Sequence, residues 1–137
     1  MTFELPIQVF WEDTDAGGIV YYANYLCFFE RARTNWLRSL GISQRQLKES
    51  IGGMFVVSKC AIQYLHPARI EDELIVSATL QAASAAQLTI AQQARRRGAN
   101  GAASELLCQS TVHLAWVNAV TLRPARIPGY LIEKMRS

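Results

Sequence analysis

One stretch of this chain sustains a helical period. Between about Tyr22 and Leu40 the apolar residues Tyr22, Leu26, Phe29, Trp36, Leu37 and Leu40 recur mostly at spacings of three and four. Side chains spaced this way share one face of a helix and must be buried against something. A helix of roughly 18 residues is about 27 Å long at 1.5 Å per residue, so its receiving surface must be of similar length. Nearly everything after Gly53 has strand character. One long apolar-faced helix and a set of strands leave few ways to bury both, and the simplest is an α+β domain with the helix laid on the sheet.

The flanking signals agree. Arg31 and Arg38 fall on the polar side of the helix, while Arg33 lies within the apolar arc and either snorkels past the core or pairs with Glu30 one turn earlier. Gly41 stands at the C′ position, and Ser43 caps a short second helix that runs to about Glu49 and is closed by Gly52-Gly53. Upstream, Phe3 to Trp11 alternates with Ile7, Val9 and Trp11 on one face, which predicts a strand. Met54 to Leu65, Glu73 to Ala82, Leu88 to Arg97 and Ser104 to Val117 predict four more. His66-Pro67-Ala68-Arg69 predicts a turn, because proline lacks a donor and restricts its predecessor. The short connections Ala83–Gln87 and Gly98–Gly101 predict antiparallel neighbours, and Pro128 opens a terminal helix through Met135. With no internal repeat or linker, residues 1–137 are expected to form one domain, and its free sheet edges predict a dimer joined edge to edge.

Composition removes several function classes. Half of the residues are hydrophobic and 18% are charged, a globular balance. The net charge of +3 is mild, and the basic run Arg95-Arg96-Arg97 beside Gly98 predicts a solvated hairpin end rather than a nucleic-acid surface. The chain starts with an acid and an early proline rather than a signal-peptide pattern, and no apolar run approaches the ~20 residues of a membrane span. A cytoplasmic location is expected. Cys27, Cys60 and Cys108 are odd in number and sit among apolar neighbours, so they predict small core residues, not disulfides. His66 and His113 adjoin no cysteine, which leaves a thiol nucleophile without a local base. No cluster has metal-ligand spacing, and Gly17-Gly18 stands alone without a phosphate or dinucleotide fingerprint, so neither metal nor cofactor is expected.

The chemistry concentrates in the loop from Trp11 to Tyr25, which packs Glu12, Asp13 and Asp15, two adjacent glycines and an aromatic run just ahead of the long helix. A helix start offers unpaired N–H donors and a positive dipole end. A carboxylate and such donors aimed at one point suit attack on a carbonyl. Glu12 and Asp13 read as solvent-facing or loop-bracing, and Asp15 taken alone reads as an Asx-turn or N-cap residue.

The run Glu12-Asp13-Thr14-Asp15-Ala16-Gly17-Gly18-Ile19-Val20-Tyr21-Tyr22-Ala23-Asn24-Tyr25, followed by Phe29-Glu30-Arg31-Ala32-Arg33, resembles the acyl-CoA thioesterases of the hotdog fold. The likeness is to the YbgC-like branch and its 4-hydroxybenzoyl-CoA thioesterase relatives. A supporting block comprises Phe55-Val56-Val57-Ser58-Lys59, Tyr64, Pro67-Ala68-Arg69 and Asp72, and the likeness runs from about residue 7 to residue 128. It implies a five-stranded antiparallel sheet wrapped around one central helix, an acyl-CoA substrate, and a homo-oligomer, dimer or tetramer, with active sites at the subunit interface. It also implies that Asp15 is the catalytic carboxylate and that the backbone N–H of Tyr22 polarises the carbonyl. Gly18, Val57, Ser58 and Lys59 complete the implied substrate site.

The chemistry of thioesters fits that assignment. An attacked thioester carbonyl becomes an oxyanion, and one well-aimed donor to it is worth on the order of 3 kcal/mol. Asp15 either attacks the carbonyl, giving a mixed anhydride, or activates water, and the sequence leaves both open. Ser58 and Lys59 either reach the CoA arm from the partner subunit or are plain edge-strand residues. Glu30 is either a second acid or half of an ion pair. Many YbgC-like enzymes carry a histidine where this chain has Tyr22, and a phenol of ordinary pKa near ~10 shuttles no protons at neutral pH. Asp15 is then left with backbone donors and water. The tyrosine matches the 4-hydroxybenzoyl-CoA branch, which keeps an aromatic acyl group open. The hairpin Ala83–Gln87 lacks the cations of its relatives, so Lys59, Arg95, Arg123 and Arg126 become candidates for the CoA phosphates. Two rivals stand. A hotdog dehydratase wants a histidine paired with an acid, and neither His66 nor His113 lies in the Asp15 loop. A partner-binding module is the other, since YbgC-like proteins resemble components associated with the Tol-Pal envelope system and with acyl carrier protein.

Overall fold

Sheet order and chain order differ, and the difference fixes which edges are free. The computed structural model describes residues 1–136. Its strands are β1 (Thr2–Gln8), β2 (Gly53–Tyr64), β3 (Glu73–Ala83), β4 (Gln87–Arg97) and β5 (Ala103–Asn118). They form one sheet in the order β1-β3-β4-β5-β2, with every pairing antiparallel. The short connections make β3, β4 and β5 neighbours, as expected. Between β1 and β2 run α1 (Asn24–Ser39) and α2 (Gln44–Ile51), which carry the chain over the sheet so that β2 docks on β5. Both β1 and β2 are edges, and α3 (Gly129–Arg136) ends the described chain.

Alternation along the strands selects the inner face. Leu74, Val76 and Ala78 of β3 and Leu88, Ile90, Gln92 and Ala94 of β4 point inward and are buried. Phe28, Phe29, Ala32, Trp36 and Leu37 of α1 complete the core. Arg33 takes the second of its expected roles: it is buried rather than snorkelling, pairs with Glu30, and donates to Gln92 Oε1 at 2.8 Å. The Gln92 amide then bonds the carbonyls of Phe29 and Ser77 at 3.0 and 3.1 Å, so the polar group inside the core is satisfied. Helix α1 stops in a Schellman motif. Gly41 has φ 78°, its N–H meets Arg38 O at 2.9 Å, and the Ile42 N–H meets Leu37 O at 2.9 Å. Ser43 caps α2, accepting from the Gln46 N–H at 3.3 Å.

Several expectations are corrected. β1 ends at Gln8, and Trp11, expected on its inner face, sits in a 3-10 turn (Trp11–Asp13) with its indole 82% exposed. Helix α1 begins at Asn24 rather than Tyr22, and the first part of the apolar arc is not covered: Tyr22 and Leu26 are exposed. Among the cysteines Cys108 is buried, whereas Cys27 and Cys60 are exposed. The Arg95–Arg97 run is tied down. Arg96 pairs with Asp72 and Glu105, Arg97 bonds Gly101 O at 3.0 Å, and Arg95 bonds Ser104 O at 2.9 Å. Among the described residues no helix is long and apolar enough to cross a membrane.

The edge strand β2 is bare in its middle. Residues 57–61 are all exposed, on both faces of the strand, and the register with β5 shifts between Val57 and Lys59. Its start is tightly packed instead. At Gly53, the space a side chain would need is filled by the buried indole of Trp116, which meets the Phe55 ring edge-on at 4.8 Å. Gly53→Ala is expected to destabilise the fold by about 1–3 kcal/mol through overpacking. Urea unfolding checks this: the midpoint falls while the slope stays constant.

Candidate active site

The acidic loop folds into a small hairpin. Thr14 pairs with Val20 in an antiparallel bridge; the Asp15 N–H donates to Ile19 O at 2.9 Å and the Tyr21 N–H to Asp13 O at 2.9 Å. The Gly18 N–H closes the turn on Asp15 O at 3.1 Å, with Gly18 at φ 77°, a left-handed conformation that glycine adopts without steric cost. The hairpin is fastened to the 66–72 turn, because Ile19 bridges to Arg69 and the Val20 N–H donates to Ala68 O at 2.8 Å. Asp13 is buried and braces this loop, whereas Glu12 is exposed.

Asp15 stands on the first arm, exposed. Its Oδ1 accepts the Gly17 N–H at 2.8 Å, the Asx-turn that its residue type alone predicts. Among the described residues no donor meets its other oxygen, which is therefore open to solvent or substrate. The acid lines a groove of about 460 Å³ with Trp11, Thr14, Ala16, Gly18 and Ile70. Gly18 contributes wall and turn geometry here rather than a donor, since its N–H is engaged.

Tyr22 stands just beyond the second arm, two residues ahead of α1. Among the described residues nothing accepts from its N–H. The preceding carbonyl, Tyr21 O, accepts the Asn24 N–H at 2.8 Å, and the Tyr22 carbonyl accepts the Tyr64 hydroxyl at 2.9 Å. Rings surround it: Tyr22 meets Tyr21 at 5.0 Å and Tyr64 at 6.1 Å between centroids, and Tyr64 meets Tyr25 at 5.7 Å. Burial raises the Tyr64 phenol above its ordinary value, with a smaller contribution from Cys108, so it remains a donor at neutral pH. These rings line a mostly apolar groove of about 250 Å³ with Ile19, Val20, Leu65, His66 and Pro67. Consecutive residues, Gly18 and Ile19, wall the two grooves, which therefore flank the same hairpin.

Val57, Ser58 and Lys59 lie elsewhere on the chain's surface. Val57 borders a third groove of about 310 Å³ with Leu26, Phe29, Glu30, Arg33, Cys60 and Val112. The Ser58 hydroxyl donates to His113 O at 3.2 Å and accepts from Gln87 Nε2 at 3.4 Å. A single chain thus brings Asp15 and Gly18 together, puts Tyr22 in the neighbouring groove, and brings residues 57–59 to neither. Among the candidate cations, Lys59, Arg123 and Arg126 are exposed, while Arg95 is engaged. Sequence reasoning missed Ile70 as a groove wall, His66 in the groove of Tyr22, and the Asn24–Asp13 contact. Of these only the His66-Pro67 turn carried a signal, a histidine in a loop that had to lie somewhere near a sheet end.

The buried Cys108 is a poor candidate for a thiol nucleophile. Burial pushes the Cys108 thiol up to about 12, aided by the nearby Cys60. A thiol that holds its proton more tightly when folded contributes stability that is complete below its unfolded pKa of 9.0 and is lost as the pH climbs toward about 12. Urea titrations across that window are expected to show a falling midpoint, with a shallower slope against pH in Cys108→Ala, whatever the cavity costs in absolute stability.

The family profile of the thioesterase-like superfamily matches residues 9–135. The acyl-CoA thioesterase YbgC of Haemophilus influenzae is 38% identical over 126 residues, which cover 92% of this chain and 88% of that protein. Among solved structures, a 1,4-dihydroxy-2-naphthoyl-CoA thioesterase from Synechocystis has a TM-score of 0.89 at 24% identity, covering 100% of this chain and 97% of that one. The 4-hydroxybenzoyl-CoA thioesterase of Pseudomonas sp. strain CBS-3 has a TM-score of 0.87 at 19% identity, covering 97% and 98%. The last two show the fold alone.

Proposed function

This chain belongs to the thioesterase-like superfamily and, within it, to the YbgC acyl-CoA thioesterases, and from that premise we propose that it hydrolyses acyl-CoA thioesters with Asp15 as the acting carboxylate. One observation carries the mechanism: a single hairpin presents an acid with an open oxygen on one arm and delivers an N–H without an acceptor just beyond the other. The thioester carbonyl oxygen takes the Tyr22 N–H, which stabilises the negative charge that develops on attack. Asp15 either removes a proton from an attacking water or adds to the carbonyl carbon itself, and the CoA thiolate leaves. In the second route water then cleaves the mixed anhydride, so either route consumes one water and releases one acid and one thiol. Single turnover in ¹⁸O-water tests the anhydride route, because label reaches the aspartate only when water attacks the aspartyl carbonyl of that intermediate.

The rest of the substrate site comes from a second copy of the chain. Residues 57–61 of β2 are uncovered on both faces, and an unpaired edge of this length is a template for antiparallel pairing. Pairing there seats the second copy's 57–59 segment beside the groove that Val57, Leu26 and Phe29 border, with Lys59 as the cation for the CoA phosphates. The rings of Tyr22, Tyr25 and Tyr64 suit a flat or apolar acyl group.

Asp15→Asn is expected to lower kcat by roughly 10²–10⁴-fold at unchanged fold. A thiol-release assay over short, long and aromatic acyl-CoAs checks it, and unaltered turnover refutes the role. Lys59→Ala is expected to raise KM about tenfold for acyl-CoA, the worth of one lost charge-assisted contact. Thioesters of N-acetylcysteamine, which carry no phosphate, serve as the control and should keep their KM.

A further inference from the structure

Asp13 is a buried acid that the hydrolytic step does not use. It is 4% exposed, and both carboxylate oxygens are engaged: Oδ2 accepts the Phe10 N–H at 2.9 Å and Oδ1 accepts Asn24 Nδ2 at 2.7 Å. A carboxylate only accepts, so Asn24 must present its NH₂ group here. The main-chain carbonyl of Asp13 takes the Tyr21 N–H as well, at 2.9 Å. A buried charge persists only where it is paired or hydrogen-bonded, and here every partner is a segment that shapes the site. Phe10 precedes the 3-10 turn, Tyr21 ends the second arm of the hairpin, and Asn24 is the first residue of α1.

The chain of contacts reaches the reacting groups. The Asn24 N–H donates at 2.8 Å to Tyr21 O, the carbonyl of the same peptide whose nitrogen is the Tyr22 N–H. That peptide is thus held at its oxygen by Asn24, and Asn24 is held by Asp13, two residues from Asp15. We infer that the Asp13–Asn24 contact is a clamp that sets the Tyr22 N–H in register with the Asp15 carboxylate. Asp13 and Asn24 are positioning residues; neither touches the substrate. Donation to Tyr21 O also polarises the peptide and strengthens its N–H as a donor. The kinetic consequence of the clamp rests on the hydrolysis proposed above, while its structural consequence does not.

Two variants and two readouts test it. Asn24→Asp sets two carboxylates face to face, and the double exchange Asp13→Asn with Asn24→Asp restores a donor and an acceptor with their places swapped. The readouts are steady-state kinetics with the acyl-CoA that wild type turns over fastest, and amide hydrogen exchange at Tyr21. Asn24→Asp is expected to lower kcat on the order of 100-fold, the typical cost of a misplacement near 1 Å, with KM within about twofold. Exchange at Tyr21 quickens, and the double exchange recovers most of both losses. Unchanged exchange at Tyr21 overturns the clamp. Faster exchange with kcat within about twofold of wild type overturns the positioning role, because a merely structural contact lowers the melting temperature without moving kcat. Should Asn24→Asp not fold, Asn24→Ala removes the contact without adding a charge and is read the same way. If wild type turns over no thioester, the hydrolytic reading falls, and hydrogen exchange alone still decides the clamp.

Discussion

Burial of one helix on one sheet face sets where everything else can lie. Helix α1 has a single apolar arc, and the inner faces of β1, β3, β4 and β5 receive most of it. The arc is longer than the surface that covers it. Phe28, Phe29, Ala32, Trp36 and Leu37 are buried, while Tyr22 and Leu26 at its start stay exposed beside the grooves. An uncovered helix start is costly as structure, because exposed rings gain nothing from water. It suits a site, because the Tyr22 N–H just ahead of it has no acceptor among the described residues and the rings form a dry wall next to it.

Backbone geometry alone links the arm that carries the acid to the segment that enters the helix. Bridge pairing of Thr14 with Val20, the turn at Gly18 and the fastening of Val20 to Ala68 leave the 13–21 hairpin little freedom. Asp15 and the Tyr22 N–H are therefore placed by main-chain hydrogen bonds rather than by long side chains. Such preorganised donors need no reordering when charge develops on a carbonyl oxygen. In the proposed mechanism, a chain with tyrosine rather than histidine at position 22 relies on this main-chain placement.

Element type was legible in the sequence wherever a period and its stop signals coincided. The Gly41 Schellman ending, the Ser43 cap and the tight connections between β3, β4 and β5 all follow from local chemistry. Trp11 misled because alternation continued past Gln8 although the chain had already turned, and an aromatic residue fits a groove wall as well as a strand. Strand order was not legible: nothing local says that β2 docks on β5, since that depends on the path taken across the sheet. At the candidate site the residues with a motif, Asp15 and Tyr22, were named by resemblance, and each lines a groove beside the 13–21 hairpin. Asp13, Asn24 and Tyr64 act through contacts between residues 11 to 42 positions apart, which no periodicity records. Val57, Ser58 and Lys59 were also named by resemblance, and within one chain they do not line the Asp15 groove.

The account turns on a thioester carbonyl held between the Asp15 carboxylate and the Tyr22 N–H. A crystal structure of Asp15→Asn with an intact acyl-CoA measures this directly. The predicted result is a carbonyl oxygen within hydrogen-bond distance of the Tyr22 nitrogen and a carbonyl carbon facing the residue at position 15. A thioester bound with its carbonyl away from Tyr22, or with position 15 turned from the carbon, would contradict it.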